Sequence, residues 1–192
     1  KNLIVATPAG AAARLLSNIA PEIAARLETI EYVSLVSLPL AYPAEVSEVS
    51  MKGFGFLATR GAGLRILGSV WNSSLFRDRA PSGWVLLTSF IGGATDGDAI
   101  HLDDEQLISI ADRDLKRVLG IKSQPRRLPI TRWARAIPQY TIGHAAKALE
   151  VGEALKGHAG LWLAGNYLNG VSLGDCIENA TKIARDVSGD ER

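Results

Sequence analysis

Apolar and polar residues alternate with two different periods along this chain, and the change of period divides it. LIVAT at 3–7 is a continuous apolar run that reads as a strand, and the alanine-rich TPAGAAARLL after it predicts a helix. Pro21 opens a second helix that carries Ile23, Leu27 and Ile30 on one face. From Glu31 the period drops to two. EYVSLVSLPLAY, FGFLAT, LRILGSVWN and WVLLTSFIGG are short β-rich runs bounded by Pro, Gly, Ser and Asp, the pattern of an antiparallel sheet. Within 64–71, Leu64, Ile66 and Val70 fall on one face and Arg65, Leu67, Ser69 and Trp71 on the other. Within 84–91, Trp84, Leu86 and Phe90 oppose Val85, Leu87 and Ile91. Both faces are largely apolar, so one is expected to be covered by packing and the other to face a pocket or partner.

The helical period returns at 103–119. Asp103 can cap with Gln106 three residues on, Ile108, Ala111, Leu115 and Val118 form the stripe, and Gly120 stops it. A strand around RLPITRW, an irregular AIPQYTIGH, a helix near 144–156 and a last strand LWLA at 161–164 follow. The final helix is read from Asp175, with Ile177, Ala180, Ala184 and Val187 as its buried stripe and SGDER as a polar, frayed tail. No repeat or low-complexity linker is present in the sequence. The fold class is α/β (α+β): helices and mixed strands at the two ends, an antiparallel sheet between.

The 192 residues suffice for one or two compact bodies. With 21 basic and 20 acidic side chains the net charge is +1, so composition points to neither nucleic acid nor an anionic membrane. The single cysteine, Cys176, excludes an internal disulfide framework and fits a reducing, cytoplasmic compartment. No apolar run approaches the roughly 20 residues of a transmembrane helix, and no signal-peptide layout is present. Lys1 leads directly into a strand, which is read as the start of a fragment or expressed domain.

Five features bear on chemistry. GFGFLA at 53–58 matches the letters of a dinucleotide fingerprint but continues into another strand rather than a helix, so it reads as a glycine-bearing strand edge. His101, His144 and His158 lack metal-ligand spacing and read as loop histidines; Asn72-Ser73-Ser74 reads as a solvated turn. Trp133 and Tyr140 flank a stiff proline-containing stretch that would either wall a planar ligand or form a core edge. LWLAGNYLNGVSLGDCIENA at 161–180 runs from strand through a glycine-punctuated turn into a helix, which aims N–H groups and a positive dipole end at the turn. A phosphate, pyrophosphate or flavin carbonyl would suit it.

GFGFLATR, ILGSVWNSSLFRDRAPSGWVLLTSFIGGA, DRDLKRVLGI, WARAIPQYTIGH and LAGNYLNGVSLGDCIENA, in this order and spacing, resemble the C-terminal part of the protoporphyrinogen oxidases, a family of the flavin amine oxidase superfamily. The resemblance covers most of the chain from residue 53 onward, and KNLIVATPAGAAARLL is similar to the family's preceding strand and helix. It implies that 1–30 belong to a Rossmann-like FAD domain, 31–145 to a substrate-binding domain, and 146–192 to the return into the FAD domain.

It further implies FAD as cofactor, with Ala164, Gly165 and Asn166 near the ribityl and pyrophosphate, backbone groups of Val171, Ser172 and Leu173 near the flavin ring, and Trp133 bordering the isoalloxazine. Phe54, Val70 and Phe90, from strand facing plus likeness, would sandwich a tetrapyrrole, with core packing as the alternative. The implied activity is oxygen-linked oxidation of protoporphyrinogen IX, with coproporphyrinogen III oxidation or a non-catalytic tetrapyrrole-binding module as alternatives. No catalytic side chain is identifiable. Dioxygen as acceptor, peripheral attachment at the inner face of a membrane and homo-oligomers are the remaining implications. The family's G-x-G-x-x-G unit and membrane-associating region have no counterpart in these residues, so the chain alone is expected to hold FAD weakly and to expose apolar surface.

Overall fold

A computed structural model describes residues 1–46 and 51–189; the last three residues of the tail SGDER lie outside it. In chain order the elements are β1 (Leu3–Val5), α1 (Ala9–Leu16), α2 (Pro21–Glu28), β2 (Tyr32–Pro43), β3 (Gly55–Leu57), β4 (Gly68–Trp71), α3 (Asn72–Leu75), β5 (Trp84–Gly92), α4 (Asp104–Leu119), β6 (Arg126–Arg127), β7 (Thr131–Pro138), α5 (His144–Leu155), β8 (Leu161–Leu163) and α6 (Leu173–Ser188). They form two compact units: residues 1–32 with 137–192, and residues 33–136.

In the first unit β1 and β8 pair in parallel, Leu3 with Leu161 through Val5 with Leu163. Ala9, Ala12 and Ala13 of α1 are fully buried. Small side chains at these positions let α1 approach its neighbour closely, and α2 answers with Ile23, Leu27 and the following Ile30, the stripe anticipated from periodicity. Val151, Leu163 and Tyr167 complete this core. Pro21 occupies the first turn of α2, where its missing N–H costs nothing.

The last helix departs from expectation. It begins at Leu173, capped by Ser172, and none of its residues is fully buried. Ile177, Ala180 and Ala184 are exposed, while the adjacent line Cys176, Asn179, Ile183 and Val187 is half-buried. Apolar spacing marks a face that wants cover; among the described residues nothing covers it, and the helix packs on the neighbouring line instead.

The second unit is a six-stranded sheet in the order β3-β4-β5-β2-β6, with β7 also paired to β2. The described pairings of β2 with β5 and β6, and of β4 with β3 and β5, are antiparallel. Register places Val36, Leu38, Leu40 and Tyr42 of β2 opposite Ile91, Ser89, Leu87 and Val85 of β5, and this face is buried against Leu107, Ala111, Leu115 and Leu119 of α4. The capping box of Asp103 and Gln106 opens α4, and Gly120, at φ 64°, closes it in the left-handed region.

Two expectations are corrected here. Residues 64–67 are not strand: the Asp114 carboxylate accepts the N–H groups of Arg65 at 2.6 Å and Ile66 at 3.1 Å, so helix α4 takes the amides a ladder would use. Ile66 thereby joins Trp71 in the buried core instead of sharing a face with Val70. The stretch AIPQY is not irregular throughout, because β7 runs on to Pro138.

Candidate functional site

The closing turn of the first unit is built by its own sequence. Gly165 leaves room for the Tyr167 ring, which a Cβ there would meet at 2.3 Å. Gly170 adopts φ 109°, and a Cβ on it would lie 2.5 Å from the Asp175 carboxyl carbon. These glycines are required by packing inside the turn itself. Tyr167 is fully buried, and burial raises the pKa of its phenol. Ala164 and Gly165 also line an open groove of about 660 Å³ between β8, α5 and α6.

The start of α6 is held by a reciprocal cap. The Ser172 hydroxyl accepts the Asp175 N–H at 3.0 Å, and the Asp175 carboxylate accepts the Ser172 N–H at 3.0 Å. These bonds hold the Asp175 carboxyl below its ordinary pKa. The N–H groups of Leu173 and Gly174 are left without an intrahelical acceptor. A full carboxylate at this helix start repels a phosphate, so the turn suits a neutral, electron-rich acceptor such as a ring carbonyl better than an anion. Val171 and Leu173, 49% and 79% exposed, give the same spot an apolar rim. Two backbone donors thus stand beside an apolar rim at this helix start.

Sequence reading missed the group that ties this turn down. The Tyr140 hydroxyl donates to the Asn166 carbonyl at 2.9 Å and accepts the Gly170 N–H at 2.7 Å. Desolvation raises its pKa against the opposing bond from Gly170. His144, expected in a loop, is instead the buried first residue of α5 and stacks on Tyr140. Sequence offered only the proximity of Tyr140 and His144, four positions apart across a glycine. His158, also read as a loop residue, hydrogen-bonds Glu22 at 2.5 Å and lowers that carboxyl's pKa. Among the described residues no cluster of His, Cys, Asp and Glu could hold a metal ion.

In the second unit, Val70 and Phe90 lie on the sheet face opposite α4: Val70 pairs with Thr88, Phe90 with Gly68, and both are half-buried. Phe54 does not join them. Its carbonyl accepts the Trp71 N–H, which puts it in phase with Trp71 and out of phase with Val70, and its side chain is 71% exposed. Gly55 explains the strand edge at GFGFLA, since a Cβ there would collide with the Ser69 carbonyl at 2.0 Å. Trp133 stands 55% exposed on β7, which excludes a core role, and it belongs to a different unit from the turn at 164–173. Asn72-Ser73-Ser74 is helix α3, not a solvated turn; the Asn72 amide oxygen accepts from Thr88 at 2.7 Å and the Ser73 hydroxyl accepts the Leu86 N–H.

The chain is 37% identical to protoporphyrinogen oxidase 1 of Spinacia oleracea over 97% of its own length and 35% of the relative's. It is 31% identical to coproporphyrinogen III oxidase of Bacillus subtilis over 96% of its length and 39% of the relative's. A crystal structure of a candidate protoporphyrinogen oxidase from Exiguobacterium sp. 255-15 superposes with a TM-score of 0.76 at 25% identity, covering 99% of this chain and 41% of that one. The chain thus spans about a third of the length of the curated relatives it matches. A profile of the flavin containing amine oxidoreductases matches residues 1–188, and the chain belongs to that family.

Proposed function

We propose that this chain is part of an FAD-dependent oxidase that converts protoporphyrinogen IX to protoporphyrin IX. The observation that carries the reading is the start of α6, where the open N–H groups of Leu173 and Gly174 stand beside the apolar rim of Val171 and Leu173. Backbone groups of Val171, Ser172 and Leu173 would hold the edge of the flavin ring, with Ala164, Gly165 and Asn166 along the ribityl chain. Trp133 is assigned to the cofactor by family likeness and by its exposed ring. Bound FAD would supply hydride acceptance from the macrocycle, with dioxygen as the proposed final acceptor. The chain's own task is to hold and orient.

The sheet face opposite α4 supports a tetrapyrrole. Val70, Leu86 and Phe90 present half-buried apolar surface on it, matching an apolar macrocycle, whereas Phe54 is not part of that face. Protoporphyrinogen is preferred over coproporphyrinogen because curated relatives named for the former reach 37% identity and those for the latter 33%. Among the described residues no helix is long and apolar enough to cross a membrane.

The test is the product of the longest reading frame that contains this sequence, loaded with FAD and given each porphyrinogen under air. Porphyrin fluorescence is expected to rise faster from protoporphyrinogen. A protein that keeps its flavin yet oxidises neither substrate would overturn the reading; preference for coproporphyrinogen would replace the substrate. The 192-residue chain itself should lose FAD on desalting, since two backbone donors and an open rim are too little to retain it.

A further inference from the structure

The turn that faces the ligand is held from two sides, and the two anchors are unlike. The Asn179 amide donates to the Asn169 carbonyl at 2.9 Å, but Asn179 sits on α6 and moves with the turn it holds. Tyr140 comes from the other side, from the segment that enters α5. Its single hydroxyl donates to the Asn166 carbonyl and accepts the Gly170 N–H, so it closes both ends of the span 166–170 and stops one residue short of Val171. The ring is in turn seated: it stacks on His144 with centroids 3.8 Å apart and planes 15° from parallel, and His144 is only 6% exposed. Gly143, at φ 90°, makes the sharp entry that brings the two rings together.

We propose that Tyr140, seated on His144, is the positioning residue of the closing turn: its hydroxyl fixes the direction of the N–H groups at 171–174 and thereby sets the turn's affinity for a flavin ring. The affinity half rests on the flavin reading above; the latch itself does not. Two bonds to one hydroxyl make the effect separable, because Phe retains the ring and its stack and removes only the oxygen.

The experiment compares the full chain with its Tyr140→Phe variant by amide exchange and by riboflavin titration followed through backbone NMR shifts. Exchange at the bonded amides of Gly170 and Ser172 is expected to accelerate about tenfold in the variant, with Val151 and Leu163 in the same unit's core unchanged, and riboflavin is expected to bind about tenfold more weakly. Unchanged exchange at Gly170 overturns the latch. Faster exchange with unchanged riboflavin affinity overturns the positioning role. If the wild-type resonances at 171–174 ignore saturating riboflavin, the flavin reading of the turn falls, and accelerated exchange in the variant would still uphold Tyr140 as the residue that orders it.

Discussion

Asp114 is 1% exposed in the core of the second unit, and its carboxylate takes three donors: the N–H groups of Arg65 and Ile66 and the Arg113 guanidinium at 3.1 Å. Asp114→Ala would strand two backbone donors that no strand partner can take up. We expect it to destabilise the unit by about 3 kcal/mol, at roughly 1–3 kcal/mol per orphaned group, read from chemical unfolding. A loss below about 1 kcal/mol would mean that water replaces the carboxylate. Asp175 acts on the opposite sign of exposure. Its pKa is lowered by the Ser172 bonds, so its contribution is present above the ordinary carboxylate pKa and is lost as pH falls through the lowered one. Protection of the Ser172 amide, relative to its intrinsic exchange rate, should fall as pH drops below the ordinary carboxylate range of about 4, and protection that does not change with pH would show that the box is not formed. The box of Ser172 and Asp175 is a local Ser-x-x-Asp spacing, whereas Asp114 is one of several acids on an amphipathic helix and only the tertiary approach of 65–66 gives it acceptor work.

Elements obey their local signals where those signals are self-contained. Asp103, Gln106 and Gly120 bound α4 as their spacing implies, because a cap bonds within its own turn and needs no distant partner. Asp103→Ala is therefore expected to cost about 1 kcal/mol in thermal unfolding, and an effect near zero would make the box ornamental. The last helix fails the same kind of reading. Its apolar spacing at 177, 180, 184 and 187 describes a surface seeking cover, while the side that packs is decided by where β8 and α5 lie. β7 fails differently, since Pro138 closes the strand where the sequence suggested a break before it; proline tolerates the end of a strand, where no further ladder donor is needed.

At the scale of the whole molecule, the core of the second unit comes from one uninterrupted stretch, and that of the first draws on both ends of the chain. Its parallel pair β1–β8 has two strands only, and parallel strands are ordinarily covered on both faces. Leu3 and Ile4 on that pair, and Leu173 and Ile177 on α6, are 46–79% exposed. We expect the chain to self-associate and to bind a hydrophobic dye, with Ile4→Lys and Ile177→Lys together shifting sedimentation toward monomer. A wild-type chain that sediments as a monomer at high concentration would show that this surface is tolerated in water.

Periodicity, caps and glycines determined by themselves where the longer helices lie, that the middle of the chain is an antiparallel sheet with one covered face, and that the dinucleotide-like letters at 53–58 are a strand edge. Each of these rests on contacts within a few residues or on the alternation that burial of one face imposes. Motif order from 53 to 180 carried the family. Only the tertiary structure decided that residue 3 pairs with residue 161, that Phe54 leaves the face of Val70 and Phe90, that Asp114 replaces a strand partner, and that Tyr140 brackets the closing turn. All four depend on groups far apart in sequence or on a one-residue phase, and the energy of such contacts does not exist until the chain has brought them together.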